Sequence, residues 1–370
     1  MRVLHVISDE NIGGAGVLLT NLLSEFDSAR VSSIVALPEN SLLRERIETL
    51  GVPTMLLRHG VDRVEPSAVA ELMRCIRRSR AEIVHANAAL SARVAGKLCG
   101  IGVVHTRHCC YPPRGIWRFS PIRLAGGICN CMLSDRVIAT ADAAAENLRA
   151  LGIPQKKITI IINGSKPIRA VSDGELEASR RAFSIDPNDF CVGICARLED
   201  CKGHDTFLQA ARILCDRAPQ ISFRFLIVGT GTRRTALEEM ARSLGIEDHV
   251  RFTGFVVDMA PIYRLLRINV NCSSGTETSC LALSEGMSAG VPCVASDYGG
   301  NRAMIGDGDA GMLFPVGDAA ALAECILQIA ESPDREVQMR RAALLRYAQK
   351  YTAKRMADEV SALYLQMVKK

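Results

Sequence analysis

RVLHVISDENIGGAGVLLTNLLSEF, Arg2–Phe26, decides how the rest of the chain reads. Arg2–Ser8 is an apolar run of buried-strand length, Asp9–Gly16 breaks it, and apolar residues return at helical spacing from Val17 to Phe26. A glycine turn between strand and helix lets a phosphate or sugar approach the backbone and the helix N-terminus. Gly13, Gly14 and Gly16 are therefore candidate ligand contacts. The turn reads GGAG rather than GxGxxG, so the dinucleotide fingerprint is absent. A tight turn made only for packing fits the same glycines.

The alternation continues outward from this stretch. Ser33–Leu37 and Thr54–Leu57 read as strands, Leu42–Leu50 and Pro66–Arg78 as helices; EIVHAN, a helix over Ala89–Cys99 and GVVHTRH follow. Strands alternating with helices predict a parallel sheet covered on both faces. Ligands of such sheets sit beyond the carboxyl ends of the strands, where His85, Asn87, His105, Arg107 and His108 would gather. His108 is the catalytic candidate, because it follows a strand end and opens a long irregular stretch; a satisfied structural histidine is the alternative.

Asn163–Arg169 (NGSKPIR) reads as a hinge, and a second strand–helix series begins at Phe190–Ala196. The expected layout is a first domain over residues 1–168, a second over 169–350, and a terminal helix, 351–370, reaching back to the first. Arg197 and Lys202 follow the strand and Gly203 opens a helix. Two cations there suit a diphosphate, and a solvated basic loop is the plain alternative. Gly229 to Gly231 allow another close backbone approach. Ser273–Gly290 (SSGTETSCLALSEGMSAG) sets Glu277 in a turn and Glu285 on an apolar helix, with Thr278 or Ser279 as its cap. A helix mouth suits phosphate, and the two carboxylates suit hydroxyls. A ligand carrying both is a nucleotide sugar; a dipole partner plus a solvated helical glutamate is the other reading.

The length of 370 residues implies two domains, and 48% hydrophobic with 23% charged residues fits a soluble globular protein. A net charge of +5 is too small to imply nucleic acid. No acidic residue lies between Glu82 and Asp135, whereas Arg93, Lys97, Arg107, Arg114, Arg118 and Arg123 do. The first half therefore carries a cationic face. YPPRGIWRFSPIRLAGGICNCML mixes Trp117, Phe119, Ile122 and Leu124 with arginines, which fits an anionic membrane surface bearing a lipid-linked acceptor and equally a core helix with a basic outer face. The 14 cysteines contain no CxxC, and HCC (His108–Cys110) and CNC (Cys129–Cys131) match no common zinc spacing. Structural thiols in a reducing, cytoplasmic compartment are expected. Met1–Ser8 is too short for a signal peptide, and no run reaches the length of a membrane span.

Taken in order, DRVIATADAAAENLRALGIPQKKITIIING, RLEDCKGHDTFLQAA, FLIVGTGTRRTALEEMARSLGIEDHVRFTGFVVDM and the E-x7-E spacing of Glu277 and Glu285 resemble glycosyltransferase family 4, over nearly the whole chain and most strongly from Asp135 to Gly317. The resemblance implies an α/β protein of GT-B fold, two facing Rossmann-like domains, and a retaining, metal-independent sugar transfer with no added cofactor. It implies that Glu285 holds the ribose hydroxyls, Glu277 holds hydroxyls of the transferred sugar, and Arg197 and Lys202 grip the diphosphate with the N–H groups of Thr278, Ser279, Cys280 and Leu281. Gly229, Gly231, Phe255 and Val256 would border the base. Gly13 and Gly14 would lie near the donor phosphate and the acceptor, and His108 near the sugar. The donor would be UDP- or GDP-linked and the acceptor a glycan or lipid-linked hydroxyl in cell-surface polysaccharide, lipopolysaccharide or glycolipid synthesis, on the inner face of the membrane.

Three positions depart from the family pattern: Ala303 stands where many relatives have Glu, Gly16 where many have Glu, and Gly286 where Ala is common. The rival readings are a nucleotide-sugar epimerase of the same fold and a non-catalytic scaffold of a glycan-assembly complex. An epimerase would convert the donor with no acceptor present. A scaffold would bind nucleotide or partner without turnover.

Overall fold

The opening apolar run becomes β1 (Arg2–Ile7), an inner strand, third in order, of a seven-stranded parallel sheet in the computed structural model, which describes residues 1–108, 127–128, 130–275, 277–306 and 308–368. The sheet runs β3-β2-β1-β4-β5-β6-β7, with β2 at Ser32–Pro38, β3 at Thr54–Leu57, β4 at Ile83–Asn87, β5 at Gly102–Arg107, β6 at Arg136–Ala139 and β7 at Ile158–Ile160. Successive side chains of a strand point to opposite faces. Leu4 and Val6 accordingly join Leu72, Ile76 and Val84 on one face, while Ile7 joins Val35, Leu37 and Leu43 on the other. Both faces are buried, which is why β1 reads as a continuous apolar run rather than an alternating one.

A second sheet, β10-β9-β8-β11-β12-β13, repeats the plan with β8 (Phe190–Cys195), β9 (Phe223–Val228), β10 (Val250–Gly254), β11 (Ile268–Asn271), β12 (Cys293–Ser296) and β13 (Gly311–Phe314). Val192 and Ile194 pack with Phe207 and Phe225 on one face, and Cys191 packs with Leu226 and Tyr263 on the other. The chain thus forms two Rossmann-like units, Met1–Ser165 with Tyr351–Lys370, and Lys166–Lys350.

Each sheet has one place where strand order reverses, between β1 and β4 in the first unit and between β8 and β11 in the second. The loops leaving the two strands diverge there and open a crevice at their carboxyl ends.

The last helix, Ala353–Val368, returns to the first unit and packs on the Gly14–Glu25 helix. Its Tyr364 is wholly buried, and the hydroxyl bonds to Nδ1 of His85 on β4, whose Nε2 bonds to Thr106 Oγ1 at 2.6 Å. The return is fixed at Ser165, whose N–H donates to Tyr351 O and whose carbonyl accepts from Ala353 N, both at 2.9 Å. Gly164 makes that junction possible, since a Cβ there would lie 2.2 Å from Thr352 O. Gly164→Ala is expected to cost about 2–4 kcal/mol, because backbone must move to admit the methyl group. A urea midpoint equal to wild type would show that the junction yields freely.

Candidate active site

In the second unit, the candidate side chains gather where the strand order reverses. After β8 the chain passes Arg197, makes a short turn over Asp200–Lys202, and enters the His204–Arg217 helix through Gly203, whose left-handed φ of 68° lets its Cα lie against the Cys272 carbonyl. After β11 the loop carries Glu277 and leads into the Leu281–Ser288 helix. Lys202 Nζ meets Glu277 Oε2 at 2.7 Å, joining the loops of two neighbouring strands. Ser273 Oγ donates to the same carboxylate oxygen at 2.9 Å. Burial opposes the charge on Lys202, but the Glu277 carboxylate outweighs it and raises the ammonium above its ordinary value.

A frame of buried amides and hydroxyls holds this loop. Asn301 Nδ2 donates to Asn271 Oδ1 and Ser296 O, Ser273 N donates to Asn271 Oδ1, and Ser296 Oγ donates to Ser273 O at 2.6 Å. Gly299, at φ 56°, passes so close that a Cβ would lie 2.1 Å from Glu277 O. Glu277 therefore projects from a fixed backbone, a requirement for preorganised electrostatics.

The cap of the following helix differs from the expectation. Cys280, rather than Thr278 or Ser279, is the N-cap, with no side-chain cap hydrogen bond, and its thiol is pushed up to about 12, first by burial. The first-turn N–H groups, from Leu281 onward, have no helical acceptor of their own and form an electropositive mouth. Thr278 and Ser279 are buried beside it. Glu285 sits on the helix wall, where burial lifts its carboxyl to about 7 against the opposing pull of the Tyr263 hydroxyl, which donates to Oε2 at 2.9 Å.

The two cations differ in their commitments. Lys202 is paired, whereas Arg197 is exposed and its guanidinium bonds to no described residue. Gly229 and Gly231 have a packing reason: a Cβ at either would lie 2.1 Å from Ala196 O or 2.4 Å from Leu198 O. Beyond β10, Val256 packs inward with the cluster around Ile185 and Tyr263, leaving Phe255 54% and Val257 73% exposed.

In the first unit, Gly13 is the N-cap of the Gly14–Glu25 helix, and a Cβ on Gly14 would meet nothing within 4 Å. Open space lies over that turn. Gly16 is different, because its Cβ would strike the Leu43 side chain at 2.6 Å, so this glycine serves packing. His108 follows β5, and its Nε2 lies 3.1 Å from Asn87 Oδ1 at the end of β4. Burial lowers its imidazole to about 4, so the ring is neutral near pH 7. His85, Asn87, Thr106 and His108 line a cavity of about 30 Å³ together with Leu18 and Met356.

His105 is not in the lining of that cavity, and His85, which is, has both ring nitrogens already taken. His85 is built into the sheet against Tyr364 and Thr106, and His105 bonds the Ala86 carbonyl at 3.3 Å. Arg93 is likewise committed to Ser134 and Asn130, and Lys97 to Asp135. Arg114, Trp117, Arg118, Phe119, Ile122, Arg123 and Leu124, with Cys109, Cys110 and Cys129, lie outside the described residues. Among the described residues no group of three or more His, Cys, Asp or Glu could hold a metal, and no helix is long and apolar enough to cross a membrane. Sequence reading missed Tyr263, Ser273 and the asparagine frame; their only signal was two asparagines, Asn269 and Asn271, in an otherwise apolar strand.

Two family models match the chain in order, Glycosyltransferase Family 4 over residues 12–167 and Glycosyl transferases group 1 over residues 189–332. The chain is 32% identical over 226 residues to EpsD of Bacillus subtilis (strain 168), a match covering 60% of this chain and 58% of EpsD. It is 28% identical over 239 residues to the D-inositol 3-phosphate glycosyltransferase of Rhodococcus erythropolis (strain PR4 / NBRC 100887), covering 62% of this chain and 53% of that protein. The chain thus spans little more than half the length of these curated relatives. In fold it is similar to Anabaena Alr3699/HepE in complex with UDP-glucose, with a TM-score of 0.85 at 21% identity over 99% of both chains. The sucrose-phosphate synthase of Thermosynechococcus elongatus gives a TM-score of 0.78 at 18% identity over 100% and 99%. With both halves matched in order and the GT-B fold spanning its length, the chain is a GT-B glycosyltransferase built of a Glycosyltransferase Family 4 domain followed by a Glycosyl transferases group 1 domain.

Proposed function

We propose that this chain transfers a sugar from a nucleoside-diphosphate sugar to a hydroxyl of a glycan or lipid-linked acceptor, retaining anomeric configuration and using no divalent metal. The observation that carries the reading is the Lys202–Glu277 pair beside the Leu281–Ser288 helix mouth, with Glu285 on the wall of the same helix. A diphosphate needs fixed positive charge, which Arg197, Lys202 and the helix N–H groups supply. The sugar and ribose need acceptors for their hydroxyls, which Glu277 and Glu285 supply.

As the bond to the diphosphate breaks, negative charge grows on the leaving oxygen and positive charge on the anomeric carbon. Cations and helix dipoles already aimed at that oxygen lower the barrier without rearrangement. The departing phosphate oxygen takes the acceptor's proton as the hydroxyl attacks the same face, so no protein nucleophile is required. Neutral His108 is assigned to hydrogen bonding on the sugar side. The acid-free stretch between Glu82 and Asp135 supports work at an anionic membrane surface, in cell-surface polysaccharide or glycolipid synthesis.

A thermal-shift panel of UDP, GDP, ADP and their sugars identifies the donor, because a ligand that binds only the folded state raises its melting temperature. UDP-glucose, which HepE binds, heads the panel. Transfer with that donor is expected to survive EDTA; loss restored by magnesium would overturn metal independence. His108→Ala is expected to lower turnover about 10²-fold, with a smaller change in nucleotide affinity. Unchanged turnover would remove His108 from the site.

A further inference from the structure

Gly286 follows Glu285 directly, and its missing side chain is used. A Cβ there would lie 2.5 Å from Asn269 Nδ2, so only glycine leaves the amide where it stands. Asn269 is fully buried, and from that position it donates to Ala282 O at 2.7 Å. The same carbonyl is the second neighbour of the Tyr263 hydroxyl, at 3.2 Å, while Glu285 Oε2 is the nearer at 2.9 Å. A hydroxyl has one proton. The carboxylate is the nearer and the charged acceptor, and Asn269 already fills one lone pair of Ala282 O, so that proton goes to the carboxylate.

We propose that Tyr263 is a positioning residue for the donor nucleotide: its hydroxyl holds one oxygen of Glu285 so that the carboxylate is presented, ionised, to the two ribose hydroxyls, and Asn269 keeps Ala282 O from competing. The inference rests on the nucleotide-sugar reading above. An ionised carboxylate accepts from both ribose hydroxyls, whereas a protonated one must spend an oxygen as donor. The titratable groups facing Glu285 are Tyr263 itself and the thiol of Cys195 on β8, and the Cys280 thiol at the helix mouth lies behind them, close to both Tyr263 and Cys195. Burial holds both thiols and the phenol protonated. Near neutral pH the carboxyl therefore titrates alone among them, and Tyr263 is the group pulling it toward the charged form.

The test follows the Glu285 carboxyl by NMR of 13C-labelled glutamate in the full chain, assigned with Glu285→Gln, alongside titrations with UDP, GDP and ADP from pH 6 to 9. Tyr263→Phe is expected to move the carboxyl midpoint up by about one unit and to weaken nucleotide binding about fivefold at pH 7, with the loss approaching tenfold at pH 6 and vanishing toward pH 9. Gly286→Ala, which pushes the Asn269 amide off Ala282 O, is expected to move the midpoint the same way while leaving the phenol in place. A midpoint unmoved by Tyr263→Phe, or a loss of affinity equal at every pH, overturns the positioning role and leaves the donor reading intact. Wild-type protein that binds none of the three nucleotides overturns the donor reading and this inference with it.

Discussion

Lys202→Met is expected to reduce sugar transfer by about 10²–10³-fold, the range set by deleting one preorganised group that meets developing negative charge. The ammonium touches Glu277 at 2.7 Å, and the side chains retain only 19% and 10% of their accessible surface. Removing one partner leaves the other half-dry and unpaired, so the variant should also lose stability. A fall in activity alone would not separate these effects. Glu277→Gln combined with Lys202→Met does, because replacing both charges by neutral groups of similar size is often close to neutral for folding. The double variant is therefore expected to melt nearer to wild type than Lys202→Met does, while transfer stays as low. Recovery of transfer along with stability would mean that the pair is architectural and that the diphosphate is held elsewhere.

The pair also shows where sequence reading stopped. That Lys202 and Glu277 belong at one edge of the sheet was legible, because each follows a strand of a parallel series and such loops converge at the carboxyl edge. Their direct contact was not, because β8 and β11 become neighbours only when strand order reverses, and 75 residues separate the two side chains. Strand and helix placement was legible from apolar runs and period. Glycine roles were not: Gly13, Gly14, Gly16, Gly229 and Gly231 look alike in sequence, yet only the first two border open space or a polar neighbour, while the others make room for Leu43, Ala196 O and Leu198 O. The cap failed for a related reason, since two hydroxyls preceding an apolar run satisfy the capping rule, but the helix starts one residue later, at Leu281. Buried polar partners such as Tyr263 and Tyr364 carry no local signal, because a tyrosine at a core spacing reads the same with or without a mate.

Acidification from pH 7 to about 5 is expected to unfold the first unit while the second stays folded. Burial lowers His5 and His105 to about 3, His108 to about 4, and His85 well below its ordinary value, and all four lie in the first unit. Each is neutral in the folded chain and takes a proton near pH 6.5 once unfolded, so below that pH the unfolded state binds more protons and stability falls as pH falls. At pH 5.5 each fully buried histidine contributes a loss of about 1.4 kcal/mol, so His5 and His85 together cost about 3 kcal/mol, and the other two bring the total toward 5. That is a large share of the roughly 5–15 kcal/mol that holds a domain together. In the second unit the signs oppose each other. His204 is lowered to about 4 and loses stability with acid, but Glu285 is raised to about 7, binds its proton more readily when folded, and gains stability over the same interval. Lowered carboxylates, such as Glu175 in the second unit and Asp135 in the first, act only near pH 4 and below. Brief proteolysis at pH 5, read by mass spectrometry, should therefore place the first cuts within Met1–Ser165. His5→Leu, which also removes a buried Nδ1 with no partner among the described residues, should shift the acid midpoint downward by removing one titrating ring. First cuts within Lys166–Lys350, or a midpoint unchanged by His5→Leu, would show that the buried histidines are not what makes the first unit acid-sensitive.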